Sequence, residues 1–261
     1  MDRTALSGRV IRNVGRDALV GLVGYLVMSQ HGLPAGPLAT AKLLSRLEPS
    51  VRSRLERSAF RRTLAPGEIL FSRDDVDDNV YFVLAGTLRI IIHAPNGRVV
   101  LFRDLGPGEA IGELAAIDGG RRSATVEARG PAQVMRVRGQ AFRDLVAREV
   151  TVAMALLQQS IRYVRELTDR VYEFSSLAVA NRIQAELLRL AREVSADGNS
   201  VLLSPAPRHV DIADRVSTHR EAVTRELGRL ARIGIVERQG RRLRITDMKR
   251  LSVLVDEAAN C

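Results

Sequence analysis

IGELAAIDGGRRSATVEA, residues 111–128, joins a glycine-led acidic turn to an arginine-led β-type strand across a short linker. Gly112 lets a ligand approach the backbone, and the run Glu113, Leu114, Ala115, Ala116 suits one turn of helix whose first amides point at an anion. Ten residues after Gly112, Arg122 offers a guanidinium fork matched to phosphate oxygens, and Ser123 adds a hydroxyl and a backbone donor. A carboxylate beside a phosphate repels it. Glu113 therefore makes sense as an acceptor from a hydroxyl, and a ribose 2′-OH is the obvious donor. An anion site and a sugar site this close suggest a nucleotide folded back on itself.

The 261 residues suffice for two ordinary domains with cores of their own, and 46% hydrophobic content marks a globular chain. A formal charge of +10 calls for an anionic partner, either nucleic acid or an acidic membrane surface. Lys42 and Lys249 are the only lysines, so that charge is nearly all arginine. One cysteine, Cys261, leaves no disulfide framework, thiolate metal site or iron–sulfur ligand set, and a reducing cytoplasm is the simple expectation. The apolar stretch 18–28 is too short to span a bilayer and is expected to pack on the β-rich domain. The four histidines are scattered, with no nucleophile–base constellation, metal-ligand cluster or P-loop. No enzyme, no catalytic residue, no metal and no cofactor are expected.

Outward from the cassette, residues 1–45 form an N-terminal extension broken at 31–37, and 43–58 carries helical spacing. From Phe60 the pattern turns to short β runs, with strands expected at 79–84, 87–93, 98–105 and 133–137 and a hairpin turn at Pro95, Asn96, Gly97. A helix over 140–146 follows. This spacing predicts an α+β chain whose residues 46–147 form a β-barrel or jelly-roll-like β-roll. Leu88, Ile90 and Ile92 share one face and Phe102 is placed to close over a base, although ordinary core packing is the expected role of all four.

A long helix is expected over 148–177, with Val150, Met154, Leu157, Ile161, Val164, Thr168, Val171 and Ser175 at heptad steps, and such a seam calls for a second copy of the helix. Segment 148–176 is therefore the dimerisation helix. Residues 177–261 read as an amphipathic helix over 177–194, a strand at 200–203 after a turn at Asp197 and Gly198, and helices over 209–216 and 218–233 separated only by Ser217. Strands around Gln239 and Gly240 and a closing helix over 247–258 complete a winged helix-turn-helix. Ile212, Ala213, Val216, Val223 and Leu227 pack inward, leaving Arg220, Glu221, Thr224 and Arg225 outward, with Thr218 and His219 at the start of the helix. Between 205 and 250 there are twelve Arg plus Lys against six Asp plus Glu.

GELA followed by RSAT closely resembles the phosphate-binding cassette of cyclic-nucleotide-binding domains, and HREAVTR, residues 219–225, resembles the recognition helix of the cyclic AMP receptor and FNR family. The resemblance implies that Glu113 holds the ribose hydroxyl and that Arg122 and Ser123 hold the cyclic phosphate, in the turn made by Gly112, Leu114 and Ala115. It also implies that Leu167 and Thr168 stand where adenine-binding members have Thr and Ser, so cyclic AMP and cyclic GMP both stay open. Thr168 equally suits a polar register residue of a coiled coil. The family reading is a homodimeric transcription regulator controlled by a cyclic nucleotide, acting on palindromic double-stranded DNA and on RNA polymerase, with no membrane partner. Two alternatives remain: the same architecture sensing another ligand or none, and a regulatory subunit of an enzyme.

Overall fold

A computed structural model describes residues 36–259 apart from 96, 196 and 197. The apolar stretch 18–28, most of the extension 1–45 and Asp197 of the expected turn lie outside the described residues. Leu38, Ala41, Leu43 and Leu44 are buried against the β-roll, so the end of the expected extension belongs to that core. Lys42–Leu44 is a short 3-10 turn, and α1 (Pro49–Arg57) starts afresh at Pro49. The single helix expected over 43–58 is two pieces because proline lacks the N–H a continuous helix requires and holds Glu48 extended, at φ −55 and ψ 135.

The β-roll follows in order: β1 (Phe60–Leu64), β2 (Ile69–Phe71), β3 (Val80–Ala85), β4 (Leu88–His93), β5 (Val99–Leu105), β6 (Ala110–Ile111), α2 (Glu113–Asp118), β7 (Thr125–Ala128) and β8 (Ala132–Val137). Antiparallel pairing gives two four-stranded sheets among the described residues, ordered β1-β8-β3-β6 and β2-β7-β4-β5. Leu64, Tyr81, Val83, Leu88, Leu105, Val126 and Val134 bury their side chains in one cluster from both sheets, the jelly-roll solution to hiding two apolar faces. Gly97, at φ +78, turns the β4–β5 hairpin. On its other side the first sheet packs α1, α3 (Gly139–Arg148) and the start of the long helix around Phe82 and Phe142.

α4 (Val150–Ser176) begins after Glu149 leaves helical geometry. Among its described residues only Val152 is buried, and the seam from Val150 to Val171 lies open. The C-terminal domain contains α5 (Val179–Val194), β9 (Val201–Leu203), α6 (His209–Arg215), α7 (Arg220–Arg232), β10 (Val236–Gln239), β11 (Arg242–Ile245) and α8 (Met248–Ala259). Its sheet runs β10-β11-β9, and Ile183, Leu187, Ile212, Val223, Leu230, Ile235 and Ile245 form its core. The turn between α6 and α7 is longer than the single Ser217 expected. Ser217 takes φ +50, and the Thr218 N–H donates to the Ala213 carbonyl at 2.9 Å.

Candidate functional site: a cavity in the β-roll and an exposed helix

A cavity of about 1230 Å³ opens between the second sheet, α2 and α4, and continues to α5 and α8. Gly112, Glu113, Leu114, Ala115, Arg122 and Ser123 line it, as do Tyr163 and Leu167 of α4. Thr168 does not; its hydroxyl donates to the Val164 carbonyl at 2.9 Å on the exposed side of the helix. Ile90, Ile92 and Phe102 line the cavity, whereas Leu88 is fully buried and Ile90 also packs against the core, so the core role expected of all four fits Leu88 and, in part, Ile90. The pairing shift opposite Ile90 and Ile91 leaves Phe102 as the extra residue of β5, while β4 keeps its alternation and the buried Ile91 lies on the face opposite Leu88 and Ile90.

Gly112 sits at φ +93, and a Cβ there would meet Arg122 Nη1 at 2.4 Å and the Asn79 carbonyl at 2.7 Å. Only glycine fits this corner. Glu113, the next residue, is 3% exposed, and its Oε2 has no hydrogen-bond partner. Burial pushes its carboxyl above the ordinary range, partly offset by its own backbone N–H, by Arg103 and Arg122, and by the Gln159 side chain.

Arg122 is 2% exposed. Its Nη1 donates to the Gly112 carbonyl at 3.0 Å, and its Nη2 to the Asn79 carbonyl at 2.6 Å and to Asp77 Oδ2 at 2.5 Å. The guanidinium lies over the Phe71 ring at 4.1 Å. Burial raises the Asp77 carboxyl, but the Arg122 hydrogen bond and the Asn79 contacts outweigh it and leave it below the usual aspartate range. Beside the cassette, Arg103 Nη2 donates to the Tyr163 hydroxyl at 2.5 Å and stacks on that ring. Burial pushes the Tyr163 phenol up to about 12, with Arg103 opposing and Glu113 adding. Sequence reading missed Asp77, Arg103 and Tyr163; the one trace of Asp77 was the aspartate run at 74, 75, 77 and 78.

In the C-terminal domain Arg220, Glu221, Thr224 and Arg225 are exposed on α7, with His219 exposed just ahead of it and Thr218 half-buried in the turn. The Thr224 hydroxyl is tied to His209 Nδ1 at 2.8 Å and donates to the Arg220 carbonyl at 3.0 Å, which fixes its rotamer. Burial, then Arg238 and Arg220, hold the His209 pKa below its ordinary value. Arg238, Arg241, Arg242 and Arg244 on the wing add exposed positive charge beside α7.

Two buried ionic clusters join the domains, and neither was foreseen. Arg89 of β4 contacts Asp104 at 3.0 Å and Asp211 of α6 at 2.9 Å, while Asp211 also meets Arg208 at 2.8 Å and Arg129 at 3.2 Å. Glu186 of α5, with 0% exposure, gathers Arg170 of α4 at 3.8 Å, Arg215 of α6 at 3.5 Å and its neighbour Arg189. Among the described residues no group of His, Cys, Asp or Glu is arranged to hold a metal ion, and no helix is long and apolar enough to cross a membrane.

A β-roll joined through one long helix to a winged helix-turn-helix defines a DNA-binding transcription regulator that carries its own ligand-binding domain. Residues 61–149 match the family model of the cyclic nucleotide-binding domain, and 181–254 that of the Crp-like helix-turn-helix domain. The cyclic AMP receptor protein of Thermus thermophilus is 31% identical over 180 residues, covering 69% of this chain and 81% of the relative. The CRP-like cAMP-activated global transcriptional regulator of Mycobacterium tuberculosis is 25% identical, covering 82% and 96%. The chain belongs to the CRP/FNR family of transcription regulators. The fold is shared with FixK2 of Bradyrhizobium japonicum (TM-score 0.64, 22% identity, 75% of this chain and 96% of that one). It is also shared with a CooA mutant of Carboxydothermus hydrogenoformans (TM-score 0.71, 16% identity, 82% and 94%). The matched domains and these curated relatives are those of regulators, not of enzymes.

Proposed function

We propose that the chain acts as a cytoplasmic homodimer whose hold on palindromic DNA is set by a 3′,5′-cyclic nucleotide, cyclic AMP or cyclic GMP, bound in the β-roll. The observation that carries this is the meeting of Glu113, with a buried unpartnered oxygen, and Arg122 on one cavity wall. Glu113 accepts from the ribose hydroxyl, Arg122 and Ser123 take the cyclic phosphate, Gly112, Leu114 and Ala115 shape the turn around it, and Ile90, Ile92 and Phe102 receive the base. Leu167 and Tyr163 close the site from α4. Two relatives named for cyclic AMP favour that nucleotide.

The same helix presents the open apolar seam, with Leu157 and Val164 about half or more exposed, and a second α4 is the natural cover for it. A ligand that prefers one packing of the two helices shifts the population toward recognition helices spaced ~34 Å apart, and only that difference in affinity switches the protein. Thr218, His219, Arg220, Glu221, Thr224 and Arg225 then face the major groove, where arginine suits guanine and glutamate suits cytosine. RNA polymerase is the further partner. A cavity larger than the ~300–1,000 Å³ usual for a single small ligand favours, as a second reading, the same regulator sensing a bulkier molecule.

Calorimetry with cyclic AMP and cyclic GMP, with and without an operator selected from a randomised duplex pool, tests the proposal. Expected are saturable heat from at least one nucleotide, its loss in Arg122→Ala, and DNA and nucleotide affinities raised by the same factor. Silence from both nucleotides with DNA binding intact would favour the bulkier ligand.

A further inference from the structure

We propose that Asp77 is a built-in counter-ion occupying the phosphate grip of Arg122, which a cyclic nucleotide must displace, so that this carboxylate sets the affinity of the site. The inference rests on the cyclic-nucleotide reading above.

A guanidinium has five N–H donors, one on Nε and two on each Nη. Each of the two edges that grip a pair of phosphate oxygens, Nε with Nη2 and Nη1 with Nη2, includes Nη2. In Arg122 both Nη2 hydrogens are committed, to Asp77 Oδ2 at 2.5 Å and the Asn79 carbonyl at 2.6 Å. The Nε is buried without a partner, and Nη1 holds the Gly112 carbonyl. The uncommitted hydrogens thus lie on Nε and Nη1, which share no edge. A forked grip on phosphate requires Nη2 to release one acceptor.

The Asn79 carbonyl is backbone next to β3 and is fixed. Asp77 is the acceptor able to leave: its side chain is 25% exposed against 1% for Arg122, and it sits in the loop before β3. Charge argues the same way. Arg122 and Asp77 form a neutral pair, and a phosphate arriving while the pair stays intact would set two anions against one buried cation, which is unfavourable where water cannot screen them. Three donors besides Arg122 hold Asp77 in place: the Asn79 N–H at 3.1 Å, the Asn79 side-chain amide and the Tyr81 hydroxyl at 3.2 Å. Displacement therefore has a definite cost that the ligand must offset. The opposite role, in which Asp77 orients Arg122 for phosphate, predicts the opposite sign on removal.

The test is calorimetric titration of the full chain, wild type, Asp77→Ala and Asp77→Asn, with cyclic AMP and cyclic GMP, after a thermal melt has shown each to be folded. The expected result is that both variants bind the preferred nucleotide about tenfold or more tightly than wild type, the scale of one charge-assisted hydrogen bond. Unchanged or weaker binding by folded variants, with wild type binding, overturns the counter-ion role and leaves the nucleotide reading standing. Silence from all three proteins means the nucleotide reading itself has failed, and the inference falls with it. A wild-type arm holds even if the variants do not fold: in a structure with bound nucleotide the Asp77–Arg122 contact is expected to be broken, and finding it intact beside a bound phosphate overturns the proposal.

Discussion

Arg89 in β4 and Asp211 in α6 meet at 2.9 Å, although they lie 122 residues apart in the chain and are only 7% and 5% exposed. Breaking a buried pair of this kind costs roughly 3–5 kcal/mol when one partner is left charged and dry. Asp211→Ala leaves Arg89 its bond to Asp104 inside the β-roll but removes its tie to α6, so the C-terminal domain is expected to come away. In Asp211→Ala the radius of gyration measured by X-ray scattering is expected to rise, and proteolysis near residues 177–179 to quicken.

The same contact is expected to fail in acid. Burial raises the Asp211 carboxyl, but hydrogen bonds from Arg208 and Arg89 win and hold it below 3.8. A depressed folded pKa contributes stability that is present above the unfolded value and is lost as pH falls through the folded one. Scattering across an acid titration is expected to show undocking only below the ordinary aspartate range, with Asp211→Ala showing no such step.

Glu113 carries the opposite sign. Its folded pKa is raised above 4.5, so its favourable contribution is complete below that value and is lost as pH rises through the folded value. At pH 7, above the unfolded value, keeping this partly unsatisfied carboxyl dry costs ~1–3 kcal/mol. Glu113→Gln is therefore expected to melt higher at pH 7, by about 2–6 °C, with no gain below pH 4.5, and to lose its grip on the nucleotide. Calorimetric melts at the two pH values check the first part, and titration the second.

Gly112→Ala combines left-handed backbone strain with a Cβ placed 2.7 Å from the Asn79 carbonyl. Backbone cannot yield as a side chain can, and a loss of ~2–4 kcal/mol is expected in chemical denaturation.

Ile161→Glu tests the seam. Ile161 is 45% exposed within the protomer, so its replacement leaves the protomer core untouched. Light scattering is expected to give half the wild-type mass with unchanged helix content.

The cassette was legible because its parts are local: Gly112, Glu113, Arg122 and Ser123 lie within a dozen residues, and one short linker brings them to one wall. Strands rich in Val and Ile, such as Leu88–His93, announced themselves, whereas β1, with the sequence FRRTL, and the two-residue β6 have too little apolar alternation to do so. Thr168 was the natural residue to watch on chemical grounds, but helix phase turns it away from the cavity and puts Leu167 and Tyr163 there. Asp77 finds Arg122 across 45 residues and Arg89 finds Asp211 across 122; charged partners have no periodic signature, and only the folded topology pairs them.

Glu186 ties α4, α5 and α6 together through Arg170, Arg189 and Arg215. A roll of α4 is therefore expected to be felt at α6, the first helix of the DNA-binding pair, through that shared carboxylate.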